Sequence, residues 1–387
     1  MRRRVPNPIL IPLIEWRARR IGDPVERLRF LKRRAEVRLP RPGRGVRRTG
    51  ACLGVLAALI VIPAYNFSGS EEEQRGAPSL PPRFSASVVP DRVPDVWLVE
   101  QNEDFEIYSN GLRIENRFLV AGEPRSYGLI DRRRPDLGFG EWRSEPAGIV
   151  YHTTESEIVP FQSEQNRALK QMGTSLLEYV RREHSYNFVV DRFGRVFRIV
   201  AEGDVANHAG YSVWADPRWL YLNLNASFIG VSLEAQSARG TEASVGPAQI
   251  HAARVLTEML RHRYRLAAVD CVTHAQVSVN PDNMRIGYHT DWAGDFPFGD
   301  LGLADNYGYP LPSLYAFGFT YDPAFVRSTG ARLWLGVALA EQEFRQAAAA
   351  AGLGPREYRA ALQQRYRKNL MALKATGAPQ EKSNESN

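Results

Sequence analysis

The sequence predicts an α/β domain in which helices flank a central mixed β-sheet, with an N-terminal transmembrane helix before it and a helical extension after it. Three observations predict this. Strand-like runs alternate with amphipathic helical stretches between residues 148 and 310, the pattern of a layered α/β domain. An uncharged 18-residue run, "GACLGVLAALIVIPAYNF", occupies residues 50–67. Beyond about Pro310, two helix-forming stretches are separated by Gly352, Gly354 and Pro355, with Pro355 suited to a first helical turn.

The order along the chain follows from these signals. Residues 1–49 form a basic arm with 16 Arg or Lys against 4 Asp or Glu, a local charge of +12 that leaves −5 on the rest of the 387 residues. The basicity therefore belongs to the arm. A nucleic-acid partner, which would need a basic surface on the folded part, is not expected. The run at 50–67 would reach about 27 Å as a helix, near the thickness of a bilayer's hydrocarbon core. It has "RGVRRTG" before it and "SGSEEEQ" after it, so the positive-inside rule keeps the arm cytoplasmic and puts the following chain outside. A single-pass inner-membrane anchor with a periplasmic or otherwise extracytoplasmic main domain is the expectation, with a cleaved signal peptide as the competing reading. Residues 68–94, rich in Ser, Pro and charge, read as a linker. Cys52 and Cys271 lie on opposite sides of this boundary and predict no disulfide framework.

Residues 95–147 are expected to be a β-rich accessory segment, with Asn110-Gly111 turning a hairpin that decorates the main domain. The main domain, 148–310, opens with the strand "GIVYHT". Leu169, Met172, Leu176 and Val180 then mark a helix. "YNFVVDRFGRVFRIV" is a hairpin, "SFIGVSLEA" a strand ending near Glu234, and Ile250, Ala253, Leu256, Leu260 and Tyr264 a second helix. "AAVDCVTHAQ" is a last strand delivering His274. Residues 311–373 form the helical extension, whose apolar piece "LWLGVALA" is too short to span a bilayer and is expected to pack on the main domain. Residues 374–387 are expected to be disordered.

Seven histidines are present. His184, His251 and His262 lie in charged helical surroundings that explain them as solvated side chains. His152, His274 and His289 close strand-like runs or sit in a loop with Asp282 and Asp291, where side chains can converge. Two histidines with a Cys, Asp or third His is the usual makeup of a catalytic zinc site. Because the histidines are widely separated in sequence, spacing alone favours structural imidazoles over a metal site.

Four segments, "GIVYHTTES", "SYNFVVDRFGRVFRIVAEGDVANHAG", "NLNASFIGVSLEAQ" and "VTHAQVSVNPDNMRIGYHTDW", occur in an order and approximate spacing that resembles the zinc-dependent N-acetylmuramoyl-L-alanine amidase type 2 family, which includes phage-lysozyme amidases and peptidoglycan recognition proteins. The likeness spans about Gly148 to Phe298. It implies a Zn2+ cofactor held by His152, His274 and Asp291, with His289 as a rival third ligand because the loop between His274 and Asp291 is longer than the family usually shows. It implies Glu234 or Tyr186 as the proton acceptor, although Ser232 stands where the family commonly has Glu. His289, if protonated, would stabilise the oxyanion, and His208 would line the substrate cleft or hold its loop. The implied reaction is hydrolysis of the bond between N-acetylmuramic acid and L-alanine in peptidoglycan. A peptidoglycan binder without catalysis and a membrane-anchored scaffold remain the alternatives.

Overall fold

A computed structural model of the chain describes residues 93–236 and 245–376. The basic arm, the apolar run at 50–67 and nearly all of the linker lie outside the described residues, as does the C-terminal tail from 377. Among the described residues no helix is long and apolar enough to cross a membrane.

Eight strands make one mixed sheet: β1 (Leu98–Gln101), β2 (Phe105–Tyr108), β3 (Arg113–Glu115), β4 (Gly148–Thr153), β5 (Phe188–Val190), β6 (Val196–Arg198), β7 (Phe228–Leu233) and β8 (Cys271–Thr273). Their spatial order is β1-β2-β3-β6-β5-β7-β4-β8. At its centre β5, β7, β4 and β8 run parallel. Every residue of β4 and β7 is buried, as continuous apolar runs covered on both faces require.

Two helices flank this centre: α1 (Asn166–Arg182) and α2 (Pro247–Tyr264). The odd-numbered residues Ile149, Tyr151, Ile229, Val231 and Leu233 pack with Ala253, Leu256 and Leu260 of α2. Tyr151 also exchanges a hydrogen bond with Thr257 (2.7 Å). Because strand side chains alternate, His152, Gly230 and Ser232 must face the opposite side. Helix α1 covers part of that side, with Leu177 and Val180 against Val189 and Phe197. Its buried stripe is Leu169, Gly173, Leu177 and Val180, while Met172 and Leu176 are half-buried. The buried stripe is therefore rotated slightly from the expected one.

The hairpin at Asn110-Gly111 corrects one expectation. It does not decorate the domain but continues the main sheet, through parallel pairing of Ile114 with Val196 and Glu115 with Phe197. An unpaired β6 edge would leave ladder groups open, and β3 closes it. A second, four-stranded antiparallel sheet combines Trp214–Ala215, Trp219–Tyr221, Tyr127–Asp131 and Phe139–Arg143. The helical extension contains α3 (Leu335–Ala350) and α4 (Pro355–Ala375), with Gly352 at φ 68° between them. Val337, Phe344, Leu362, Tyr366 and Leu370 share a core with Ile130, Leu220 and Ala275. These helices thus support the second sheet and the segment after His274. Two short helices, Pro312–Phe317 and Pro323–Ser328, lead into them.

Candidate metal centre and active site

His152 is the fifth residue of β4, in register with Ser232 of β7, and is 1% exposed. His274 starts a one-turn helix, His274–Val277, directly after β8. Its place is set by Gln276, whose Oε1 accepts the Thr273 N–H at 2.9 Å and closes a capping box. The long loop that follows folds as a two-stranded ribbon, Val279–Asn280 against Arg285–Ile286. This ribbon brings the chain back: the Ser278 carbonyl accepts Gly287 N–H (2.9 Å), and Ser278 Oγ accepts His289 N–H (2.8 Å). The Asp291 carbonyl then accepts Ala275 N–H (3.2 Å). Trp292, at φ 58°, turns inward against Phe296, and Tyr307 donates to its carbonyl (2.7 Å). The extra loop length is thus used as a staple between His274 and Asp291.

The result is a buried cluster. One ligand atom from each of His152, His274 and Asp291 lies within 4.8 Å of the others. Asp291 Oδ2 is 3.2 Å from His152 Nδ1, and Oδ1 is 2.9 Å from His274 Nδ1. Burial works to raise the Asp291 carboxyl, but the charge of His274 and the hydrogen bonds to both imidazoles outweigh it and hold the group below the usual range. His152 is lowered to about 4, first by burial and then by His274. A buried carboxylate facing two imidazole nitrogens is a nitrogen-and-oxygen donor set suited to zinc. The buried His274 Nε2 has no hydrogen-bond partner among the described residues, so the hydrogen bonding of that ring is on its Nδ1 side. These residues fit a zinc ion.

His289 lies outside this cluster. Its ring stacks on His274 at 4.6 Å and 19°, while Asp291 supplies the third ligand atom of the group. Desolvation, followed by the charge of His274, lowers His289 to about 4. That lowering favours the neutral imidazole, whereas the expected oxyanion role was for the protonated ring. Tyr186, at φ 62°, places its ring 5.1 Å from His152. Burial and then the Asp291 charge push its phenol above the ordinary range, so Tyr186 keeps its proton.

Glu234 shares the parity of His152's face, two residues beyond Ser232. Its Oε2 accepts Arg192 N–H (3.2 Å) in the turn between β5 and β6, and burial raises its carboxyl. The buried Ser232 hydroxyl interacts with the Tyr186 phenol. His208, expected to line the substrate cleft or hold its loop, is half-buried beside His152. Its Nδ1 is 3.1 Å from His152 Nε2, and its Nε2 is 3.3 Å from the Phe228 carbonyl. Both ring nitrogens have protein partners, and the residue stands behind His152.

Three supporting residues went unassigned in the sequence reading. Asn225 Oδ1 accepts the N–H groups of His208, Ala209 and Gly210 at 2.7–2.9 Å. Arg125, 2% exposed, donates to the carbonyls of Glu202, Asp204, Asn225, Ala226 and Phe228. Gly230 leaves room for His208, because a Cβ there would meet its Cγ at 2.6 Å. Of the three, only Gly230 carried a sequence signal: a glycine inside an apolar strand marks close approach of another group.

Comparison with known proteins follows this geometry. Residues 142–291 match the family model described as N-acetylmuramoyl-L-alanine amidase. No curated protein matches the chain. Among solved structures, the chain is similar to the N-acetylmuramoyl-L-alanine amidase LysC from Clostridium intestinale URNW, with 21% identity, 47% of this chain and 93% of that one covered, and a TM-score of 0.26. It is also similar to AmiD from E. coli (20% identity, 65% and 99% covered, TM-score 0.34) and to AmpDh3 from Pseudomonas aeruginosa (20% identity, 60% and 92% covered, TM-score 0.33). The matched segment contains all three residues of the buried cluster as well as Tyr186, His208, Glu234 and His289. Over residues 142–291, the segment that holds the buried cluster, the chain therefore matches the N-acetylmuramoyl-L-alanine amidase family model.

Proposed function

We propose that this protein hydrolyses the amide between N-acetylmuramic acid and L-alanine in peptidoglycan or its fragments, using zinc held by His152, His274 and Asp291. The observation that carries this reading is the buried His-His-Asp cluster inside the family-matched segment. Bound zinc would supply Lewis acidity toward a carbonyl oxygen and lower the pKa of a water to about 7.

The chain's own groups have separable tasks. Glu234, raised by burial, accepts the proton of the attacking water through the oxygen that Arg192 leaves open. The Tyr186 phenol and the neutral His289 imidazole donate to the oxygen on which negative charge develops. Asp291 stays ionised, with Oδ2 facing His152 Nδ1 and Oδ1 facing His274 Nδ1. The exposed Tyr288, whose ring meets His289 at 4.7 Å, stands at the rim where the glycan side of the substrate would rest.

The anchor reading belongs to the same proposal. The uncharged run at 50–67, with its basic flank before it, supports a single-pass inner-membrane protein whose amidase domain faces the cell wall. Alkaline extraction that released the full chain from membranes would overturn it.

The central test combines metal content with product. The purified full chain should bind one zinc and release stem peptides from isolated peptidoglycan. His274→Ala should lose both, and Glu234→Gln should keep zinc while losing about 10²–10⁴-fold in rate. Peptidoglycan retained without release would favour a binding protein, and absence of zinc in the wild type would overturn the metal reading.

A further inference from the structure

We propose that His208 is a positioning residue that sets the tautomer of His152, so that His152 presents a bare Nδ1 to the metal. This inference rests on the zinc reading above and concerns a residue that donates nothing to the ion itself.

The argument starts at a carbonyl. The Phe228 oxygen lies 3.3 Å from His208 Nε2 and can only accept. The proton of the His208 ring therefore sits on Nε2, and its Nδ1 carries a lone pair. That Nδ1 is 3.1 Å from His152 Nε2, so His152 must supply the hydrogen there. With its proton on Nε2, His152 has a lone pair on Nδ1, the atom 3.2 Å from Asp291 Oδ2. A lone pair facing a carboxylate oxygen is repulsive unless a cation lies between them, so the arrangement is built for one. An imidazole ligand is commonly fixed in this way by the partner of its other nitrogen.

The rest of the structure holds His208 to this task. Asn225 Oδ1 clamps three successive N–H groups, those of His208, Ala209 and Gly210. Arg125 fixes the Phe228 carbonyl through Nη1 at 2.9 Å, together with its neighbours Asn225 and Ala226. Gly230, on the β7 strand that adjoins β4, provides the slot: the three nearest atoms to an added Cβ all belong to His208, at 2.6, 2.8 and 3.0 Å. Arg125 lies outside the family-matched residues 142–291, so the accessory segment contributes directly to the orientation of a ligand.

The test uses an isosteric pair. Asn keeps an acceptor close to the position of Nδ1, and Leu has the same shape without one. In the full chain, His208→Leu should weaken zinc about 10- to 100-fold in competition with a chromophoric chelator, while His208→Asn should stay within about threefold of wild type. Metal-free thermal midpoints of the two variants should agree, which separates the acceptor from general packing. Unchanged zinc affinity in His208→Leu would overturn the proposal, and so would equal losses in both variants. If the Leu chain does not fold, Gly230→Ala takes its place, because it retains every hydrogen-bonding group and its closest intrusions are all on the His208 side chain. It should weaken zinc at least about tenfold, and wild-type affinity there would also overturn the proposal. A wild-type chain that binds no zinc would instead sink the metal reading on which this one stands.

Discussion

The two sides of the candidate metal centre are built differently. His152 sits on a strand buried on both faces, backed by His208, Asn225 and Arg125. Asp291 sits on a loop, and its position depends on the short ribbon after Ser278, the Ala275-to-Asp291 hydrogen bond and the inward Trp292. The strand side is fixed by the core, so its geometry is lost only when the core is disturbed. The loop side is fixed by a few replaceable contacts, so it is where affinity and access can vary without unfolding the domain.

The largest expected effect tests the strand side. Arg125 holds five carbonyls, and burial lowers its guanidinium only to about 10, so it remains charged at neutral pH. Arg125→Leu would leave several buried acceptors unpaired, each costing about 1–3 kcal/mol. A destabilisation of roughly 4 kcal/mol in denaturant unfolding is expected, with the β5–β7 region losing hydrogen-exchange protection first. Loss confined to the β1–β3 hairpin would show that Arg125 serves the accessory segment alone.

A smaller effect concerns His152 in the metal-free chain. Its folded value of about 4 lies below the unfolded value of about 6.5. Between these values the unfolded state binds the proton and the folded state does not, so stability rises with pH across this window. Acidification should therefore destabilise the metal-free chain from about pH 6.5 down to about 4, by on the order of 3 kcal/mol. Urea midpoints measured at several pH values, for wild type and His152→Gln, provide the check. A wild-type profile flat across that window would remove the charge argument for the strand side.

The smallest effect probes the loop side. Ser278→Ala removes the acceptor of the His289 N–H and should cost about 1 kcal/mol, with a modest rise in zinc dissociation rate and little change in the core. A loss as large as that of Arg125→Leu would contradict the contrast between the two sides.

Much of this was legible in the chain because strand and turn chemistry are local. "GIVYHT" reads as a strand ending in a histidine, and "DRFGR" as a hairpin turn, from their own residues. Gly352 and Pro355 likewise mark the break between the last two helices. The candidate ligands were legible only through resemblance, since 122 positions separate His152 from His274 and spacing alone says nothing of their meeting. Three features had no local signal at all. The hairpin at Asn110-Gly111 gave its turn but not its sheet partner, because register with β6 is set by which edge is open. Asn225 and Arg125 look like ordinary polar residues until the carbonyls and N–H groups that they satisfy come together. The protonation of His289 and Tyr186 also depends on which charges and apolar surfaces the fold brings beside them.

By itself, then, the sequence determined the strands, helices and turns, the separate basic arm with its uncharged run, and, through its family resemblance, the candidate ligands. Only the tertiary structure decided that Asp291 joins His152 and His274 while His289 stacks beside them, and that His208 stands behind His152. The physical reason is that hydrophobic periodicity acts over a few residues, whereas a lone pair is aimed by partners drawn from β4, β7, the "HAG" segment and a stapled loop that meet only when the chain is folded.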